Sequence, residues 1–453
     1  MRDWFAPVVR NVIAPLWAMK ERSPYLSHLR LLEHSQFLTE EELRARQWPR
    51  LKRILAHAYS NCPFYARFYD SHGLTPSDIR SWDDFRSIPL LSKKEIRAYR
   101  TDMIAHDIRR DELIPVKTSG STGVSLFFYM DEVCRQWRRA CTIRHDRWAG
   151  WDIGDRIGYM WTPGANSRRL RMRLRNALLN RGCNLAPVRI TDEDMESFAR
   201  RLLRRPVAAL CGITHAIYLF ALFVHSRGLR GIRPRGVICT AMVLLKNERE
   251  TIESVFDTKV FNRYGCEEVS LVASECEAHS GLHINMDALV VEVLRDGQPV
   301  APGEAGEVVV TDLTNYAFPF IRYRLGDVAV PSAQKCPCGR GLPMLSHVEG
   351  RTADYILTPD GALVSGISLT DHLALLILHV EQFQIVQERT DFVRFRIVRA
   401  PGFNEDSLRR LDGLVHQRLG PRMKYECEFV DKIAQEASGK YRFVISKVPL
   451  PWD

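Results

Sequence analysis

"VAALCGITHAIYLFALFVHSRGLRGIRPRGVICTAMVLLKNERETIESVFDTKVFNRYG", Val207–Gly265, carries the architecture of this chain. Short apolar runs (VAALCGI, GVICTA, KVFNRYG) alternate with longer amphipathic ones (HAIYLFALFVHSRG, LLKNERETIESVF). Apolar runs of that length read as buried strands, and the segments between them have helical spacing. Strand, helix and strand in repetition imply parallel pairing in an α/β sheet, because a crossover helix is the usual link between parallel neighbours. The alternation extends from about residue 111 to 325 and takes in VSLFFYM and RIGYMW.

On either side the pattern changes. Residues 1–110 read as helical, with turns marked by Pro24, Pro63, Pro76 and Pro89. There Thr39, followed by acidic residues and then apolar positions at helical spacing, is a helix-capping signature. After the sheet region, LVVEVLRDGQPVAPGEAGEVVVTDL reads as two strands joined by Asp-Gly and Pro-Gly turns. Beyond Gly350, FQIVQERTDFVRFRIVRAP alternates like strands, NEDSLRRLDGLVHQRLG like a helix and KYECEFVDKI like a strand. The expected division is a helical part over 1–110, an α/β part over 111–350 and a small α+β domain over 351–453, with the boundary within Gly350–Gly361. No internal repeat is present.

The totals fit that division. A chain of 453 residues is too long for one ordinary core. Its 45% hydrophobic and 26% charged residues are those of a folded soluble protein. No apolar run approaches the roughly 20 residues a spanning helix needs. The opening MRDWFAPVVRNVIAPLWAMKER is broken by Pro7, Arg10 and Pro15 and does not read as a signal peptide. It reads either as helices packed on the body or as a surface-lying segment offering Trp4, Phe5, Val12, Ile13, Leu16 and Trp17 to a bilayer, a peripheral contact with the inner membrane face. Eleven scattered cysteines form no disulfide framework and point to a reducing cytoplasm. The net charge of +10 calls for anionic company, and it is concentrated in Arg168–Gly182 and Arg200–Pro206. Such runs are most often solvated helix faces. No nucleic-acid module appears and no aromatics interleave the arginines, so nucleic acid is not expected.

Four short stretches can carry chemistry. In VKTSGSTGVSLFFYMD (Val116–Asp131), Thr118, Ser119, Gly120, Ser121, Thr122 and Gly123 cannot build a core. The run lacks the lysine of a Walker loop, and it is either a plain turn or a cradle of N–H and hydroxyl donors for phosphate. In NRYGCEEVSLVASEC (Asn262–Cys276), the ring of Tyr264 beside Gly265 suits stacking on a base, and Glu268 suits a Mg²⁺ ion held against phosphate. The same residues equally describe a helix N-terminus with acidic residues in its first turn. In FPFIRYRLGDVAV, Asp327 after a tight turn can accept paired hydrogen bonds from a ribose diol, or merely mark a strand-turn-strand link. In ASGKYRFVIS, Lys440 stands on a Gly-marked loop, where it is a surface lysine or a point charge for a reacting phosphate.

Taken in order, the Ser/Thr/Gly loop, Tyr-Gly-x-x-Glu, Tyr-Arg-x-Gly-Asp, Gly-Arg and a C-terminal Gly-Lys resemble the adenylate-forming (acyl-CoA synthetase) superfamily. CGITHAIYLFA, HINMDALVVEVL and CPCGRGLPMLSHVEGRTADYILTPDG resemble its phenylacetate-CoA ligase branch, especially the CapK-like members of capsule biosynthesis. The likeness spans about residues 50 to 445. It implies a large multi-sheet domain, a small mobile C-terminal domain hinged around Arg351–Asp354, and a two-step reaction. ATP activates a carboxylate as the acyl-adenylate, and a thiol of coenzyme A or a carrier protein then takes the acyl group. Carried over, Thr118–Gly123 embrace the β,γ-phosphates, Tyr264 and Gly265 lie against adenine, and Glu268 holds Mg²⁺. Asp327 grips the ribose, Arg351 assists at the ribose or α-phosphate, and Lys440 neutralises charge at the α-phosphorus. His215, Ala241, Met242 and Tyr264–Gly265 line the acyl site. An imidazole at His215 can meet a polar group of the substrate or be a satisfied core histidine.

Two departures stand out. Glu267 occupies the place where the superfamily usually has Thr or Ser, and TPDGALVSG replaces the usual Arg-Gly-x-Asn after the hinge. The second leaves the acceptor open between coenzyme A and others. Separately, Cys276 and His283 form one short pair and Cys336 and Cys338 another, with His279 as a spare. Two short pairs of soft ligands match a closed, structural zinc site, provided that the 52 residues between His283 and Cys336 fold back. Two other readings stand beside the ligase: an enzyme that transfers AMP to a hydroxyl acceptor, and a basic, non-enzymatic binding protein for membrane or nucleic acid.

Overall fold

In the computed structural model, the described residues are 3–117, 126–161, 175, 178–179, 181–185, 192–351, 355–361, 363–365, 379–433 and 444–448. Among them, twelve strands form one sheet. Its parallel side runs, from the edge inward, Gly182–Asn184, Ile157–Met160, Ala209–Ile213, Gly236–Thr240 and Lys259–Cys266. The alternation from Val207 to Gly265 is therefore realised as three neighbouring parallel strands. They are linked by the helices Thr214–Ser226 and Lys246–Phe256. Ile217, Phe220, Val224, Ile252 and Phe256 on those helices pack against Leu210, Val237 and Val260 of the strands, in one buried cluster.

At Lys259–Cys266 the sheet changes character. The next neighbours, Ser270–Glu275, Leu282–Ile284, Met344–Arg351, Tyr323–Ser332, Gly306–Asp312, Leu289–Arg295 and Gln298–Pro299, are antiparallel. The Asp-Gly turn of the sequence reading is formed by Asp296 and Gly297, both at positive φ (52° and 76°), as such a hairpin turn requires. This antiparallel excursion folds the chain between His283 and Cys336 back on itself.

Helices precede the sheet. Thr39 caps the helix Glu40–Asn61 in a capping box with Glu42. The segment Phe5–Lys20 is helical throughout, with a π-turn over Val9–Ile13. Ala6, Val9, Ala14 and Ala18 are buried, and Phe5, Ile13 and Trp17 are half-buried against the main core. Of the two readings of this segment, helices packed on the body is the one seen. In the surface-lying alternative, Phe5, Ile13 and Trp17 are corrected, since they face the core and not an exposed surface shared with Trp4, Val12 and Leu16. At 3.6 residues per turn, positions 5, 9, 13 and 17 follow one side of the helix and 4, 8, 12 and 16 the side next to it. Only the second set is exposed. No helix among the described residues is long and apolar enough to cross a membrane.

Beyond the large sheet, Tyr355–Leu357 pairs with Leu363–Ser365, and a four-stranded sheet follows in the order Lys424–Phe429, Phe392–Arg399, Val380–Arg389, Val444–Ser446. The helix Glu405–Leu419, capped by Asn404, lays Leu411, Val415 and Leu419 on Phe383, Ile385, Phe395 and Ile397. The whole is a mixed α/β fold, with a large N-terminal domain and a small α+β C-terminal one.

Candidate active site

In parallel sheets, ligands gather outside the carboxyl ends of the strands. Three such ends lie side by side here, since Ile213 pairs with Thr240 and Thr240 with Arg263. The residues that follow are Thr214–His215, Ala241–Met242 and Tyr264–Gly265. Thr214, fully buried, donates its hydroxyl to the carbonyls of Thr240 (3.3 Å) and Met242 (3.1 Å), which ties the first two ends together. Ala241 has a φ of 66°, an uncommon conformation for a residue with a side chain, and one that turns the chain sharply off the strand.

Tyr264 and Gly265 sit on a bulge where Lys259–Cys266 turns back to Ser270–Glu275. A Cβ on Gly265 would stand 2.5 Å from the Ser270 carbonyl oxygen, so only glycine fits. Glu267 and Glu268 lie in the hairpin turn itself. The alternative of a helix N-terminus is thereby corrected: the chain pairs Cys266 with Ser270 and makes no helical turn. Asp327 likewise does not follow a loop. It lies within the single strand Tyr323–Ser332, one residue after Gly326, whose φ of 76° marks a local irregularity.

Two hydrogen bonds connect these segments. The Tyr264 hydroxyl donates to Asp327 Oδ2 at 2.9 Å, and the Tyr323 hydroxyl donates to Glu268 Oε1 at 3.0 Å. Tyr323 and Asp327 belong to one strand, Tyr264 and Glu268 to one hairpin, so the two bonds make a double clasp. Both carboxylates are 6% exposed. Burial, reinforced by the neighbouring Glu268 carboxylate, drives the Tyr323 phenol far above its ordinary ionisation range, so it remains a donor. Lys93 Nζ lies 3.8 Å from Glu268 Oε1. Arg138 donates to the Glu267 carbonyl at 3.1 Å, to the Glu268 carbonyl, and to Asp312 at 3.3 Å, fixing the hairpin turn from the other side.

Sequence reasoning missed Lys93, Arg138 and Tyr323. Lys93 and Arg138 stand far along the chain from the motifs they touch, and Tyr323, which opens the Tyr-Arg-x-Gly-Asp motif, has no role of its own in that reading. Of the remaining expectations, Thr118–Gly123 and Lys440 lie outside the described residues, as do the side chains of His215 and Arg351. The strands flanking the first run are described: Ile114–Lys117 pairs with Phe127–Met130, with Lys117 opposite Phe127.

A separate cluster lies at the Cys276 turn. Ligand atoms of Cys276, His283, Cys336 and Cys338 all lie within 4.8 Å of one another. Cys276 and Cys336 sulfurs are 3.5 Å apart, and His283 Nε2 is 3.4 Å from Cys338 Sγ. His283 Nδ1 faces the Leu342 carbonyl at 3.0 Å, which turns Nε2 toward the sulfurs. The backbone N–H groups of Ala278 and Arg340 point at Cys276 and Cys338. Burial raises Cys276 and Cys336; at Cys338 burial is outweighed by hydrogen bonds from Arg340, which pull the thiol down. Three sulfurs and one imidazole nitrogen, oriented and dry, can hold a metal ion. His279 does not join them; it faces Glu275 at 3.5 Å. The loop also holds the N-terminal helices, through Gly341 N–H to the Gln36 carbonyl (2.9 Å) and Arg340 to the Gln36 side chain (3.0 Å).

The chain is similar to known proteins in sequence and in fold. Residues 356–447 match the CapK C-terminal domain family. The chain is 28% identical over 344 residues to the phenylacetate-coenzyme A ligase of Thermus thermophilus, covering 71% of this chain and 73% of that one. It is 22% identical over 407 residues to Protein CapK of Staphylococcus aureus, covering 88% of each. Among solved structures, it resembles a 2-hydroxyisobutyryl-CoA ligase in the postadenylation state with R3-HIB-AMP. The TM-score is 0.75 at 20% identity, with 92% of each chain covered.

Proposed function

The chain belongs to the adenylate-forming ligase superfamily, on its phenylacetate-CoA ligase and CapK-like branch, and from that premise we propose that it is an ATP-dependent acyl-CoA ligase. The observation that carries this reading is the double clasp of Tyr264–Asp327 and Tyr323–Glu268 beside the carboxyl ends of three parallel strands. It joins the hairpin of Tyr264 and Glu268 to the strand of Tyr323 and Asp327, and this supports reading Tyr264 as the adenine platform, Asp327 as the ribose acceptor and Glu268 as the Mg²⁺ ligand.

In the proposed reaction, a substrate carboxylate oxygen attacks the α-phosphorus of ATP. The bond to the β-phosphate oxygen breaks, and pyrophosphate leaves. The thiolate of coenzyme A then attacks the acyl carbonyl, and AMP departs with the electron pair. Tyr264 lies against adenine while its hydroxyl orients Asp327 toward the ribose hydroxyls. Mg²⁺, when bound, neutralises phosphate charge. Glu268 would hold it, with Tyr323 fixing that carboxylate and Arg138 the backbone of the turn that carries it. Such chemistry rests on positioning and charge, so residues fixed before substrate arrives are what it needs. Thr118–Gly123 supply phosphate donors, Lys440 the cation at the α-phosphorus and Arg351 an α-phosphate or ribose contact. The small domain swings at Arg351–Asp354 between the two steps. His215, Ala241 and Met242 border the acyl group. Cys276, His283, Cys336 and Cys338 would hold a zinc ion, whose part would be structural.

ATP–pyrophosphate exchange across a set of aryl and short-chain carboxylic acids tests the first step, and thioester formation with coenzyme A the second. Exchange with at least one acid, followed by its CoA thioester, is expected. No exchange with any acid, together with no ATP binding, would refute the reading.

A further inference from the structure

The segment Phe5–Lys20 is apolar on two sides, and only one is covered. Trp4, Val8, Val12, Leu16 and Met19 are exposed, from 38% for Val8 to 79% for Trp4. Their spacing sets them in one stripe along the helix. A helix apolar all round belongs in a dry environment, and an exposed apolar stripe with a polar rim marks a contact surface.

The rim is cationic. Arg10, Lys20 and Arg22 lie on the segment or just beyond it. From the body, Arg156 and Arg181 reach Asp3 and Arg175 reaches Glu21. Arg10 in turn meets Asp152. The carboxylates here are thus matched, and the cations outnumber them. Arg175 and Arg181 come from Arg168–Gly182, the densest positive run of the sequence, and these two side chains lie beside this segment.

We propose that this face docks on an anionic lipid surface, with the stripe entering the headgroup boundary and the surrounding cations meeting lipid phosphates. A second copy of the chain fits less well. Five side chains present a few hundred Å², short of the roughly 800 Å² per partner of stable protein interfaces. A two-fold contact would also set these cations against their own copies. An interfacial helix, by contrast, needs one apolar stripe and a basic rim.

Flotation of the full chain with vesicles tests this. The chain should rise with vesicles containing phosphatidylglycerol, less at high salt, and little with phosphatidylcholine alone. Val12→Glu combined with Leu16→Glu should weaken binding by roughly tenfold or more, while thermal melting and pyrophosphate exchange stay unchanged. Leu219→Glu, at an exposed leucine of another helix, should bind as the parent does. Trp4→Ser, at the most exposed residue of the stripe, where the ring meets Phe5 only edge-on, serves if the double variant fails to fold. Absence of flotation, equal binding to both vesicle types, or undiminished binding by the folded variants would overturn the proposal. So would a dimer in solution that the double variant dissociates without any lipid binding.

Discussion

Tyr264 and Tyr323 each spend a hydroxyl on a buried carboxylate, and the two bonds differ in what their loss should do. Tyr264→Phe keeps the ring for adenine but removes one hydrogen bond that orients Asp327. A hydrogen bond to a charged group is worth about 1.5–3 kcal/mol, so KM for ATP should rise roughly tenfold or more while kcat changes less. Tyr323→Phe removes the donor to Glu268 and should show instead as a weaker response to Mg²⁺ in a titration of pyrophosphate exchange. Equal and small effects of both variants on KM and on the Mg²⁺ response would separate these tyrosines from the nucleotide. Glu268 and Asp327 are legible in the sequence because each stands in a short motif whose neighbours fix the local backbone. Tyr323 shares the motif of Asp327, but its pairing with Glu268 is not legible, and Lys93 and Arg138 are not legible at all, because only the folded register brings the three there.

At the scale of elements, the Cys276 turn and the Cys336–Leu342 loop act as a staple between the large sheet and the N-terminal helices. Metal analysis should find one zinc per chain. Cys336→Ser should lose it and lower the melting temperature by about 5 °C or more; a metal-free wild-type chain of unchanged stability would contradict the assignment. The four ligands are visible from spacing alone, whereas the role of His279 is decided by a turn that faces it toward Glu275. The helix Glu132–Trp148 makes a second prediction. His145 is 1% exposed, and burial, with the Arg144 charge beside it, pushes its proton affinity well below the ordinary 6.5. Unfolded, it takes up a proton that the folded chain refuses. This penalty is absent above the unfolded value and grows as pH falls below it, by at most about 1.4 kcal/mol per pH unit. Denaturant unfolding between about pH 7.5 and about pH 5.5 should show the decline, and His145→Gln should flatten it. An equally steep decline in the variant would place the proton elsewhere.

Over the whole molecule, the alternation of Val207–Gly265 announces a parallel sheet because its strands are buried on both faces and its helices on one. The antiparallel half is less plain, since its strands read alike whichever neighbours they choose, and Asp327 emerges within a strand where a turn is expected. The site arises where the two halves meet at Lys259–Cys266, one strand parallel to one neighbour and antiparallel to the other. That junction lets a loop after a parallel strand face a residue from a long antiparallel one. A crystal structure with ATP and Mg²⁺ bound tests this most directly. The expected result is adenine on the Tyr264 ring, ribose hydroxyls at about 2.6–3.2 Å from Asp327, and the metal on Glu268. A nucleotide seated elsewhere, with Glu268 and Asp327 untouched, would contradict it.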